Sequence, residues 1–145
     1  MSALAQVLRH RGHTVRGSDR SRDRGDNRDF YDRLVAQGIR LYSQDGSGVD
    51  ERVEEVVTST AGEDSNLDVR LALAKRIPIR RRAELLGSLF NGREGVAVGG
   101  TSGKSTVTGM IGHILKGVGR DPTVINGGMM LDAQTFPYLG NAVCG

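Results

Sequence analysis

The sequence predicts an α/β fold built on parallel strands, and three observations carry that expectation. Short apolar segments begin near residues 13, 39, 54, 77, 95 and 122, and helical patterns occupy most of the gaps between them. Strands alternating with helices are joined by crossovers, which set them side by side and parallel beneath helices on both faces. Aliphatic and aromatic residues make up 37% of the 145 residues, and 21 glycines supply turns, so the chain can bury a core.

Each element has its own signal. Ala3, Leu4, Val7 and Leu8 recur at helical spacing, and Gly12 offers a stop. "HTVRGSD" reads as a short strand turning at Gly17, and Arg20 to Asp29, free of apolar residues apart from glycine, reads as a loop. "FYDRLVAQG" puts Phe30 and Leu34 on one helical face, and "IRLY" follows as a strand. "VEEVVTSTA" is a strand that runs into the hydroxyls of Thr58, Ser59 and Thr60. Asn66 caps a helix carrying Val69, Leu71, Leu73 and Ala74, which ends before Pro78. "IPI" is strand-like, "RRAELLGSLF" helical, and Asn91-Gly92 a turn. "GVAV" then feeds a glycine turn and a helix to about Lys116, with "PTVIN" as a sixth strand. The polar, glycine-bearing stretch Asn91 to Glu94 is the natural boundary between residues 1–91 and residues 92–145.

Composition narrows the function classes. The excess of 20 Lys+Arg over 17 Asp+Glu is mostly local, in an Arg-rich stretch from Arg9 to Arg33 that is interleaved with aspartates. A nucleic-acid groove needs basic charge without interleaved acids, plus aromatic rings for stacking, so a solvated, salt-bridged surface fits better. Cys144 is the single cysteine, which excludes an internal disulfide and fits a reducing, cytoplasmic setting. No apolar run is long enough to span a bilayer.

The chemistry concentrates in "GGTSGKST", residues 99–106. Gly99, Gly100 and Gly103 permit a turn whose backbone N–H groups converge on one spot, and the helix starting near Lys104 adds its N-terminal N–H groups and dipole. Lys104 is placed to neutralise phosphate oxygens and the Ser105 hydroxyl to ligate Mg²⁺, with Thr101 and Thr106 as further hydroxyls within reach. The usual cradle has a glycine where this chain has Val98, which leaves open a nucleotide site of another kind or a glycine turn that simply leads into a capped helix.

"GGTSGKSTVTGMIGHIL" followed by "GRDPTVINGG" resembles the start of the central, ATP-binding domain of the Mur ligases, the amide-forming ligases of peptidoglycan precursor synthesis. The family cradle Gly-Thr-x-Gly-Lys-[ST]-[ST] corresponds to Gly100, Thr101, Ser102, Gly103, Lys104, Ser105 and Thr106. Members that add L-alanine usually carry His at the position of Ser102. "MSALAQVLRHRGHTVRGSD" is similar to the first helix and second strand of the family's Rossmann-like UDP-binding domain, and "VVTSTAGEDSNLDV" to part of its UDP-sugar pocket. "IPIRRRAELL" resembles the segment leading into the central domain.

The resemblance implies ATP and Mg²⁺ as cofactors, UDP-N-acetylmuramate and L-alanine as substrates, Lys104 as the catalytic cation and Ser105 as a metal ligand. It implies residues 1–91 as a substrate domain lacking its first strand and residues 92–145 as the start of a truncated P-loop-type ATP-binding domain, a fragment inactive alone. Asp19, at a strand end, has the position of a carboxylate that binds ribose hydroxyls or of a loop Asp paired with a neighbouring arginine. Ser59 and Thr60 are candidate donors to substrate or helix-cap material. His113 reads as a helix residue rather than a base. The competing readings are another Mur-like ligase, such as one recycling a peptide, a P-loop NTPase acting as a switch or motor, and a non-catalytic UDP-sugar-binding module.

Overall fold

The computed structural model describes residues 1–59, 65–134 and 136–145. Its contacts divide the chain into two compact units: Met1 with residues 16–28 and 41–95, and residues 2–15, 29–40 and 96–145.

In the first unit, β1 (Arg16–Ser18) lies beside β2 (Arg40–Tyr42), of which Leu41 and Tyr42 belong to this unit. The stretch after β1 is not all loop. Asp19 turns into a one-turn helix, α2 (Arg20–Asp23), by accepting the Ser21 N–H at 2.7 Å on its side chain. This helix buries no residue, so apolar spacing could not announce it; the Asp cap forms it. β3 (Val56–Thr58) pairs in parallel with β4 (Ile79–Arg81), with Val56 opposite Ile79 and Thr58 opposite Arg81. The crossover between them carries α4 (Leu67–Ala74), which opens on the expected Asn66 cap, its side chain accepting the Asp68 N–H at 3.0 Å. β4 runs directly into α5 (Arg82–Asn91), where Glu84 accepts the Arg81 N–H. Val49, Val69, Ala72 and Leu85 are the buried apolar residues of this unit.

The second unit holds α1 (Ser2–His10), α3 (Arg28–Ala36, from Asp29 onward), α6 (Lys104–Gly117), β5 (Val124–Ile125) and β6 (Ala142–Val143). Leu4 and Val7 of α1 are almost wholly buried, and Ile39, Leu34, Val124, Leu139 and Ala142 complete the core. Each of the Leu, Ile and Val side chains contributes about 1.5–3 kcal/mol by leaving water. Gln6 is buried at 3% exposure yet satisfied: it donates to Asn141 Oδ1 at 2.7 Å and accepts the Leu139 N–H at 3.3 Å. On α3 the buried pair is Tyr31 and Leu34, one position off the expected Phe30 stripe; Phe30 instead packs edge-on to Tyr31.

Two strand expectations are corrected. "GVAV" forms no strand: Val96 is 66% exposed and Val98 only half-buried, because no described strand runs alongside to complete its ladder. "PTVIN" does supply β5, but its partner is β6 and the pair is antiparallel, Val124 opposite Val143. The α/β architecture stands, and β3 and β4 show the expected parallel pairing.

Candidate functional site

The loop at residues 99–106 sets a left-handed glycine and a helix start where a phosphate cradle would need them, without a strand feeding the turn. Gly103 sits at φ +76°, ψ −6°, as the N-cap residue of α6. Only glycine adopts that left-handed conformation without strain, and here it turns the chain abruptly into the helix. No side chain caps α6, and its first loop-to-helix bond runs from Val107 N to Gly103 O. The N–H groups of Lys104, Ser105 and Thr106 therefore have no partner within the helix, and the helix dipole adds positive potential at the same spot. Residues 99–106 are all exposed.

Lys104 folds over this turn, its ammonium donating to Gly100 O at 2.6 Å and Thr101 O at 3.1 Å. These are carbonyl acceptors. Among the described residues no carboxylate lies within ion-pairing distance of Lys104, so its charge stays available to an anion.

Ser105 is held from a side that local sequence reasoning missed. Asn126, buried at the end of β5, donates from Nδ2 to Ser105 O at 3.0 Å and accepts the Gly127 N–H at 2.8 Å. A Cβ on Gly127 would come within 3.2 Å of Ser105 Oγ, so the Asn-Gly-Gly turn runs close against that hydroxyl. Asn followed by two glycines just after a short strand is the signal that could have found it. Gly112 brings α6 down onto β5, with Val124 Cγ2 only 2.7 Å from where a Cβ would lie.

Further along α6, His113 is exposed and its Nδ1 lies 2.9 Å from Asp132 Oδ2. That hydrogen bond holds the Asp132 carboxyl below the ordinary carboxylate range. Burial pushes the Cys144 thiol up, against a smaller opposing effect of Arg11. Neither group reaches the loop through any hydrogen bond among the described residues.

In the first unit, Asp19 is occupied as the cap of α2 through Oδ1. Ser59 is exposed directly after β3, and Thr60 lies outside the described residues. Asp68, which the sequence does not single out, is a buried junction: it accepts from Ser18 Oγ and, at 2.7 Å, from the Gly46 N–H. It ties the end of β1 to the 45–48 turn and the start of α4.

The pattern described as "Mur ligase family, catalytic domain" matches residues 1–94 of this chain. The chain belongs to the Mur ligase family. The matched stretch ends before the cradle, but similarity to whole relatives runs through it. UDP-N-acetylmuramate--L-alanine ligase of Acidiphilium cryptum is 42% identical over 140 residues, covering 97% of this chain and 28% of that protein. The protein of the same name from Burkholderia cenocepacia is 39% identical, over 97% of this chain and 29% of its own length. The crystal structure of UDP-N-acetylmuramate-alanine ligase MurC from Thermotoga maritima matches all of this chain and 32% of its own, with a TM-score of 0.85 at 28% identity. This Mur ligase chain thus spans less than a third of the length of these relatives.

Proposed function

We propose that this chain provides the UDP-substrate-binding and ATP-phosphate-binding parts of a ligase that joins L-alanine to UDP-N-acetylmuramate. The observation that carries the reading is the cradle: a left-handed Gly103 at the start of α6, with Lys104 and Ser105 set beside helical N–H groups that have no partner in the helix. The names of the relatives that match across the chain support the choice of substrates. Residues 1–91 take the UDP substrate, and residues 92–145 begin the ATP-binding part.

The chemistry follows from what the loop offers. A carboxylate is a poor acylating group, so ATP transfers its γ-phosphoryl to the muramate carboxylate and gives an acyl phosphate and ADP. The L-alanine amine attacks the acyl carbon, the C–O bond to phosphate breaks, and the amide and inorganic phosphate are released. The residues of this chain bind and orient: Gly100, Thr101, Ser102, Gly103 and Thr106 wrap the triphosphate. Lys104 leaves its carbonyl partners to neutralise charge spreading over the transferred group. Mg²⁺, when bound, would supply neutralisation of phosphate charge. It prefers hard oxygen donors and keeps several waters, so the Ser105 hydroxyl fits as one ligand beside the substrate oxygens. Among the described residues no cluster of three acidic, His or Cys side chains supplies the rest. No helix among the described residues is long and apolar enough to cross a membrane, and we place the reaction in the cytoplasm, where ATP is available.

The test is phosphate release from ATP by the protein that carries this sequence. Release that requires both UDP-N-acetylmuramate and L-alanine is the expected outcome. Release that needs neither substrate, or that responds to another amino acid or to a peptide instead, would contradict the reading.

A further inference from the structure

The Arg-rich segment from Arg9 to Arg33 contains one arginine that behaves unlike its hydrogen-bonded neighbours. Arg16, Arg22, Arg24 and Arg33 each face an aspartate, at 2.9 Å from Asp50, 3.7 Å from Asp23, 3.3 Å from Asp26 and 2.9 Å from Asp29. These pairs are the salt-bridged surface that the composition predicts. Arg20 departs from it. Its Nε donates to Gln44 Oε1 at 2.8 Å, and its Nη2 to Ser65 Oγ at 3.0 Å and Ser65 O at 3.4 Å. All three acceptors are neutral. Neighbouring carboxylates are committed elsewhere: Asp19 to the Ser21 N–H, and Asp23 to the Gln44 N–H and Arg22.

The guanidinium is thus gripped along one edge by two segments distant in sequence, while its charge has no carboxylate within ion-pairing distance among the described residues. Nη1 makes no hydrogen bond there either. A planar fork fixed in this way has already lost the rotamer freedom that an exposed arginine would otherwise surrender on binding. Its location adds a second argument. Arg20 stands two residues past the end of β1, and ligands of open α/β sheets bind outside the carboxyl ends of strands.

We propose that Arg20 is an anion-reading residue of the substrate site, its fork holding a phosphate oxygen of a nucleoside diphosphate while Gln44 and Ser65 fix its direction. The proposal rests on the reading of residues 1–91 as the UDP-substrate part. Asp19, beside it, accepts the Ser21 N–H on Oδ1, and its Oδ2 makes no hydrogen bond among the described residues.

The experiment is calorimetric titration of the chain with uridine, UDP and UDP-N-acetylmuramate. It is run in a Lys104→Ala background, so that the cradle does not compete for phosphate. Arg20→Ala is expected to weaken UDP and UDP-N-acetylmuramate alike by about tenfold or more, the scale of a charge-assisted hydrogen bond, and to leave uridine unchanged. Arg20→Lys should restore only part of the loss. Gln44→Ala, which keeps the charge but loosens the fork, should cost about threefold. Unchanged melting curves are expected because Arg20 is exposed. Equal UDP affinity with and without Arg20 would overturn the proposal, as would an equal loss for uridine. A loss confined to UDP-N-acetylmuramate would overturn it too, assigning Arg20 to the muramate carboxylate. An unsubstituted chain that binds neither UDP compound would defeat the substrate-site reading itself, and the proposal with it.

Discussion

Replacing Gly112 by alanine sets two effects of known sign against each other. Gly112 lies in the interior of α6, where alanine is favoured over glycine by about 0.8–1 kcal/mol on helix propensity alone. The structure opposes this. The new Cβ would stand 2.7 Å from Val124 Cγ2 and 3.5 Å from Cγ1. Val124 cannot easily yield: it is buried, stiff at χ1 because it branches at Cβ, and held by β5 in its pairing with β6. Overpacking of this kind costs about 1–3 kcal/mol. The clash wins, by about 1 kcal/mol, which lowers the melting temperature of a chain of this size by about 3 °C. Thermal and urea unfolding followed by circular dichroism measure it. Val124→Ala removes the obstructing methyls, so the double variant should be more stable than the sum of the two singles by about 1 kcal/mol. A Gly112→Ala chain that melts higher than the parent, or a double variant that is simply additive, would refute the close approach of α6 to β5.

Two further outcomes are expected. Asn126→Ala leaves the Gly127 N–H and the Ser105 carbonyl without their side-chain partner; we expect a loss of about 1–2 kcal/mol in stability and weaker Mg-ATP binding, read by unfolding and by titration. The hydrogen bond from Arg16 holds the Asp50 carboxyl below the ordinary range, and the same pairing raises Arg16. A carboxyl lowered in the folded state stabilises above its unfolded pKa of about 3.9, and that contribution disappears as pH falls through the lowered value. The melting temperatures of the parent and Asp50→Asn chains should therefore differ at pH 6 and converge by about pH 2; a constant gap across that range would count against the pairing.

Much of the fold was legible because its signals are local. Asn66 announced α4, the Gly-Lys-Ser turn announced α6, and apolar spacing announced α1. What escaped depends on partners remote in sequence or on chemistry without apolar periodicity. α2 arises from the Asp19 cap and buries nothing, so it read as loop. "GVAV" has the composition of a strand, but strand formation is a property of pairs, and no described strand lies beside it. The antiparallel partner of β5 is a two-residue segment with too little pattern to register. The same divide holds for the candidate site. The candidate cradle residues 99–106 are contiguous, so the proposal for them could be made from the sequence directly. Asn126, which braces Ser105, stands 21 positions away, and Arg20 gains its meaning only when Gln44 and Ser65 are seen to hold it. The charge pattern around Arg20 was readable, but not that its partners would be neutral.

Residues 99–106 are proposed to cradle the phosphates of ATP, and titration of Mg-ATP onto the chain measures that binding. Lys104→Ala removes the ammonium that folds over the turn while leaving the Gly103 geometry and the helical N–H groups in place. Mg-ATP should bind the parent chain and bind about ten- to a hundredfold more weakly to Lys104→Ala, with adenosine binding unaffected. Equal Mg-ATP affinity in the two chains would contradict it.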